Sequence, residues 1–594
     1  MAAGGLLLVL LTLPAPSGAQ SSVAPEPDAA SLPGPVSPLL ERYTPVTDSM
    51  LLDPPAGEWL MWRRTYGHWG HSPLAQIHTG NVGTLRLAWA WTMEGGLQET
   101  TPLVHDGVMF LPQACDFIEA VDARDGTLLW EYRRPRVEHS ATLACANRNA
   151  TLYGDRLYIA THDAYLVALD ARSGTVVWER QVGDWTIGQH YSGGPMIIKG
   201  RVVAGMSGCY YINTRCWISA HDADTGEEIW RTYTIPGEGE PGSETWGDIP
   251  VEQRRGGSAW MPPSYDPDLD LIFLGVGVPI QWGSVQRGTE DGAVLYTNST
   301  LALDPDTGAL VWYFQHLPGD EWDQDHPFER IVVETEVAPD ADAVEWINPE
   351  LVPGERRKVV TGLPGKPALV WTLDAATGDF LWARQTSYQN VIVGVDAQNR
   401  HGIANPALQY PAIGQELLVC PTLGGGGINW QAVAYSPDTQ ALYAPSNNTC
   451  MSYALTDAKP EVGGYHDSAE YRRVAVPASD GLVGLFTAVD VRTGRTLWQR
   501  RQRAGFGGSV LSTGGGLVFA TDDARRLRAF DARTGVVLWE QILNSSAGGF
   551  PVTYMVDGVQ YVAIAAGGGP NARSLTPEIR QRSGGNMLFV FRLP

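Results

Sequence analysis

A ten-residue phrase recurs through this chain and limits its fold more than any other feature. It reads VDARDGTLLW (121–130), LDARSGTVVW (169–178), HDADTGEEIW (221–230), LDPDTGALVW (303–312), LDAATGDFLW (373–382), VDVRTGRTLW (489–498) and FDARTGVVLW (530–539). An apolar strand end leads into Asp. A turn closes on Gly, where positive φ costs little. A second strand then ends in Trp, so each copy encodes a β-hairpin. Successive tryptophans lie 48, 52, 82, 70, 116 and 41 residues apart. The short intervals fit one four-stranded propeller blade. The long ones hold insertions and two degenerate copies, YDPDLDLIF (265–273) and YSPDTQALY (435–443). The expectation is an all-β chain, a single eight-bladed β-propeller over residues 41–594 whose blades dock through Trp.

Composition agrees and excludes several functions. Hydrophobic residues make up 44% of the 594 and charged residues 18%, which describes a core-forming chain and not a disordered one. The net charge of −23 disfavours nucleic acid and anionic membrane surfaces as partners. Leu6–Leu13 with Ser17-Gly18-Ala19 reads as an export signal over residues 1–19, although a basic leader is missing. Residues 20–40, rich in Pro, Ser and Ala, read as a flexible leader. No later run has the length of a membrane span. Six cysteines in an exported chain favour disulfides, and many pairings are open. The expected set is Cys209–Cys216, Cys420–Cys450 and, by elimination, Cys115–Cys145. No C-x-x-C-H motif attaches a haem, and no Cys/His cluster has zinc spacing.

Inward loops of a propeller converge on its axis, so a site there draws on residues far apart in sequence. Asp320-Glu321-Trp322-Asp323-Gln324-Asp325 crowds four acids into six positions. Carboxylates that close repel, which suits a cation or a raised pKa. Read alone, the same loop is a solvated acidic turn. GGSAW (256–260) and GGGGIN (424–429) read alone as turns. Lys366 stands out because lysines are few.

Together these motifs resemble a known family. The Trp repeat, QETTPLV (98–104), NRN (147–149), MSG (206–208), GGSAW, DEWDQD (320–325), GGGGINW (424–430) and PVTYMVDGVQYVAIAAGGG (551–569) look like PQQ-dependent (quinoprotein) alcohol dehydrogenases, from about residue 55 to the end. Within that family PPAGEW (54–59), HSPL (71–74), the Cys209…Cys216 loop and YQNVI (388–392) resemble the sorbose/sorbosone-oxidising and deoxynivalenol-oxidising types.

The resemblance implies roles. PQQ, a flat tricarboxylic ortho-quinone, would lie on Trp260. Arg148 would pair with a carboxylate. Ser192, Ser207, Ser258 and Asn429 would hydrogen-bond it, and Glu99 would meet its edge. Phe506 would stand where methanol dehydrogenases carry another Trp. Asp323 would be the general base for the substrate hydroxyl. Lys366 would bond the quinone oxygens and steady developing negative charge. Asp323 and Asp325 would hold the metal, Ca2+ by default with a lanthanide as the alternative.

The chain departs from the family in three places. Thr142 and Leu143 stand where methanol-type enzymes carry two adjacent cysteines, which leaves a different cover involving Cys145. Tyr210 and Val278 stand where the family places Glu and Asn metal ligands. The reading is therefore a periplasmic dehydrogenase acting on secondary alcohols, polyols, sugars or trichothecene-like alcohols. Without haem it would pass electrons to a separate acceptor, a soluble cytochrome c. The alternative is a non-catalytic propeller scaffold that only binds partners.

Overall fold

The structure, a computed structural model, describes residues 1, 37–135, 137, 145–289, 292–457, 468–477, 479–568, 574–580 and 585–594. The expected signal, apart from Met1, and Thr142 and Leu143 lie outside them. The compact unit runs from Ser37 to Pro594. Its first turn, Leu40–Arg42, buries Leu40, so the end of the stretch read as a leader is packed.

Among the described residues, eight sheets each contain four antiparallel strands in sequential order. Seven come from contiguous stretches: residues 103–133, 151–181, 196–233, 264–315, 331–385, 434–502 and 511–542. The eighth joins Arg86–Thr92 to Met587–Arg592, so the two ends of the unit share one sheet. That pairing closes the ring of a β-propeller.

Each copy of the repeat forms the last hairpin of its sheet, for local reasons. Asp170 Oδ1 accepts the main-chain N–H of Arg172 at 3.0 Å and of Ser173 at 2.9 Å, which fixes the turn. Gly174 follows at φ +69°, and a Cβ there would lie 2.5 Å from the Trp130 indole. Gly is thus required twice, by the turn and by the neighbouring ring. The same indole donates to Ala171 O at 3.1 Å. Trp178, Trp230, Trp312 and Trp498 repeat the contact with Ala223, Pro305, Ala375 and Ala532 of the following sheet at 2.9–3.1 Å. Trp539 donates to Leu85 O at 3.2 Å, carrying the series into the sheet made from both ends.

The two degenerate copies have a different place. YDPDLDLIF joins Ser264–Asp266 to Leu271–Gly275, and YSPDTQALY joins Ala434–Ser436 to Ala441–Asn447. Both are first hairpins of sheets whose last hairpin is already a full copy. They add no sheet, and the eighth comes from the chain ends instead.

Residues 59–72 thread between the sheets. Arg63, fully buried, binds Glu329 at 3.0 Å and Val510 O at 2.7 Å. All three expected disulfides are present: Cys115–Cys145, Cys209–Cys216 and Cys420–Cys450.

Candidate active site

The candidate residues occupy two kinds of loop. Glu99, Arg148, Ser192, Ser258, Trp260, Asp323, Asp325 and Asn429 each precede the first strand of a sheet. Ser207 and Lys366 lie between second and third strands. Both loop types emerge on one face of the ring, which explains how residues scattered over 330 positions meet. They line one cavity of about 490 Å³, together with Tyr210, Val278 and others.

Phe506 is the exception and corrects the expectation. Its ring packs 5.2 Å from Phe486 in an apolar cluster, and its N–H donates to Asn447 Oδ1 at 2.8 Å. It supports the neighbouring sheet and does not line the cavity. Trp430 lines it instead, its indole donating to Gly548 O at 3.2 Å.

One end of the cavity sets an arginine–glutamate pair beside an indole. The Arg148 guanidinium stands 4.9 Å over the Trp260 ring and donates to Ser192 O at 3.1 Å. It also forms an ion pair with Glu99. Burial pushes the Glu99 carboxyl above its ordinary range, and Arg148 opposes that shift. Arg148 Nε and Ser207 Oγ are buried without a hydrogen-bond partner among the described residues. A buried donor without a partner is costly unless a ligand supplies one.

The other end is acidic. In the crowded loop the four acids divide. Asp320 accepts from Trp322 N at 2.8 Å, Gln324 N at 2.7 Å and Asn298 Nδ2 at 3.0 Å, so it staples the loop. Glu321 accepts from Ser284 N at 2.9 Å. Asp323 and Asp325 alone face the cavity, so the solvated-turn reading of the loop fails.

Lys366 Nζ lies 2.8 Å from Asp323 Oδ2, 2.8 Å from Asp323 O and 3.1 Å from Asp325 Oδ2. Burial pushes the Asp323 carboxyl well up, Lys366 pulls against this, and Asp325 adds to it. Burial would lower Lys366, but the two carboxylates outweigh it and hold the ammonium protonated. Asp323 has φ +60°, a conformation uncommon for a residue with Cβ.

Tyr210 and Val278 line the wall beside these acids. Burial keeps the Tyr210 phenol protonated, and its hydroxyl is hydrogen-bonded to Ser258. Val278 has no polar side chain; its main-chain N–H donates to Asp325 Oδ1 at 3.2 Å, and its carbonyl accepts from Gly257 N at 2.9 Å. The side-chain donors for a cation are therefore Asp323 and Asp325, shared with Lys366. The Cys115–Cys145 bridge immediately precedes Ala146, which lines the cavity.

Sequence reasoning missed several lining residues. Trp430 directly follows Asn429 in a quoted motif, so its signal was present. His190, Trp282 and Tyr471 belong to loops and an inserted strand that no repeat announces.

Comparison with known proteins follows this geometry. The chain matches the family described as "Glucose/ethanol/alcohol dehydrogenase, beta-propeller domain" (PQQ) over residues 59–345 and 395–562. It is 33% identical over 559 residues to quinohemoprotein alcohol dehydrogenase ADH-IIG of Pseudomonas putida, covering 90% of this chain and 75% of that protein. It is 32% identical over 562 residues to quinoprotein alcohol dehydrogenase PedH of Pseudomonas putida, covering 88% and 89%. Among solved structures, a europium-containing methanol dehydrogenase superposes with a TM-score of 0.81 at 26% identity, covering 92% of this chain and 100% of that one.

Proposed function

We propose, on the premise that this chain belongs to the PQQ-dependent quinoprotein alcohol dehydrogenase family, that it is a periplasmic enzyme that oxidises a secondary alcohol, a polyol or sugar, or a trichothecene-like alcohol to a carbonyl, with Asp323 as base. The observation that carries the reading is the joint placement of Trp260, Arg148, Asp323 and Lys366 on one cavity. The orphaned Ser207 Oγ and Arg148 Nε fit a flat anionic cofactor, because they lack partners of their own. When bound, PQQ supplies the hydride acceptor, and a hard cation supplies Lewis acidity.

The chain's residues then do the following. Trp260 gives a platform, and Arg148 gives positive charge at one edge. Ser192, Ser207, Ser258 and Asn429 add hydrogen-bonding groups along the rim; the Asn429 side chain makes no hydrogen bond among the described residues. Asp323 Oδ2 is engaged by Lys366, which leaves Oδ1 to take the hydroxyl proton. The raised affinity of this carboxyl for protons suits a base that must hold one after transfer. Lys366 keeps its proton and steadies negative charge that develops beside it. Asp323 and Asp325 would hold the cation, Ca2+ or a lanthanide.

Electrons leave to a separate acceptor, a soluble cytochrome c. Among the described residues no helix is long and apolar enough to cross a membrane. A scaffold that only binds partners gives no reason for a buried acid–ammonium cluster opposite an arginine–indole pair. The test is reconstitution with PQQ and either Ca2+ or a lanthanide, followed by dye reduction across a panel of sugars, polyols, secondary alcohols and trichothecenes. Turnover confined to short primary alcohols would refute the substrate assignment, and failure to take up PQQ would refute the whole reading.

A further inference from the structure

Behind the wall of the active-site cavity lies a second cleft of about 510 Å³. The two share Ile280, on a short ribbon in which Arg255–Gly256 pairs with Pro279–Ile280. Arg255 lines the second cleft and is 7% exposed. Its guanidinium carries five donors. They make two contacts, both long: Nε to Gln253 O at 3.4 Å and Nη1 to Tyr210 O at 3.5 Å. Among the described residues no carboxylate pairs with it; Asp457 stands on the exposed rim without an ion pair to it. Burial lowers its pKa.

An unpaired buried cation is expensive, and ordinary folds pair it or expose it. Arg254, its neighbour, shows the usual solution: its guanidinium bonds Ile249 O at 3.0 Å, Pro236 O at 3.1 Å and Ser243 Oγ at 2.9 Å. Arg255 lacks an equivalent set and faces open volume instead. The rest of the lining is mixed: Arg287, whose guanidinium is bonded to main-chain carbonyls of Gln281 and Asp320, and several Gln and Thr side chains alternate with apolar ones. Val285 and Ile413 are 54% and 43% exposed there, with Ile212 and Ile249 partly buried beside them.

We propose that this cleft binds a small organic anion, a carboxylate on an apolar body, with the carboxylate on Arg255 and the body against Val285, Ile413, Ile212 and Ile249. The site is separate from the cofactor cavity and does not depend on the function proposed above. Because the Arg255 ribbon continues into Ser258 and Trp260, an occupant would stiffen the wall that carries the indole platform.

The test is calorimetric titration of the protein with hexanoate, run in parallel on Arg148→Gln so that binding at Arg148 is told apart. The expected result is saturable binding that weakens about tenfold or more in Arg255→Gln, the loss of a charge-assisted pair. Arg255→Lys should recover part of it, and hexylammonium should not bind. Should Arg255→Gln fail to fold, Val285→Glu on the exposed rim places a repelling carboxylate in the path and should also weaken hexanoate. No binding to the parent protein, or equal binding to Arg255→Gln and Val285→Glu, would overturn the site. Inorganic phosphate binding as tightly as hexanoate would overturn the apolar part of the assignment.

Discussion

Two charge clusters line the active-site cavity, and they are built on opposite plans. At one end Arg148 and Glu99 form a pair whose charges cancel, with donors left over. At the other, one ammonium serves two carboxylates, which leaves an excess of negative charge. A balanced pair with spare donors can hold an anion without changing protonation itself. An acid-rich cluster can attract a cation and accept a proton. Burial affects both ends, yet only the second combines it with like-charge repulsion, between Asp323 and Asp325. Under the proposed function, the first end binds the cofactor and the second handles the proton.

The sharpest way to break this division is Asp323→Asn. It keeps the side chain's shape and its neighbours but removes the proton acceptor. Turnover should fall by about 10²–10⁴, the usual contribution of a positioned base, while PQQ uptake followed by absorbance persists. Turnover within tenfold of the parent would move the base elsewhere.

Arg148→Gln should do the reverse. PQQ affinity should weaken by about tenfold to a hundredfold, as a hydrogen bond to a charged group is lost, and saturating PQQ should restore most of the turnover. The change also strands Glu99 in a buried place, so the melting temperature should drop. Glu99→Gln combined with Arg148→Gln should recover part of that drop, because the orphaned charge is then gone.

Much of this was legible in the sequence, and what was not has physical causes. The repeat is plain because each indole needs the Gly of the next turn, as Trp130 needs Gly174. Two residue types are therefore tied at a fixed spacing in every copy. The eighth sheet left no such mark, since Trp89 and the strand Met587–Arg592 meet from opposite ends of the unit. The degenerate copies misled because a first hairpin and a last hairpin use the same Asp-turn chemistry. At the site, motif order located the cavity. It could not divide the four acids: Asp320 is held by main-chain N–H groups and Asn298, and Asp323 by Lys366, partners that lie apart from the loop in sequence or carry no side-chain signal. Phe506 was misplaced because an aromatic beside glycines reads alike whether it faces a cavity or Phe486.

The Arg148 end also predicts a pH effect on the apo-protein. Asp116 accepts from Asn147 Nδ2 at 3.3 Å and His162 N at 2.7 Å, and burial pushes its pKa from 3.8 to about 7. The folded state therefore binds the proton more tightly than the unfolded state. Between these two values folding holds more protons, so stability falls as pH rises through the window. The melting temperature should decline from pH 4 to pH 7 on this account, and Asp116→Asn should flatten that part of the decline. An unchanged slope in the variant would assign the dependence to other groups.

The smallest expected effect tests the acid end. Tyr210 stands beside Asp325 and Asp323 with its phenol held protonated by burial and hydrogen-bonded to Ser258. A neutral phenol is a poor ligand for a hard cation next to two carboxylates. Tyr210→Phe removes one hydrogen bond, worth about 1 kcal/mol, and keeps the ring that fills the wall. PQQ affinity should change by about fivefold or less. The Ca2+ concentration for half-saturation should stay within the same range, because Asp323 and Asp325 remain. A much larger loss of Ca2+ affinity in Tyr210→Phe would mean that the phenol oxygen coordinates the ion, and the acid end would then hold its cation with three side chains.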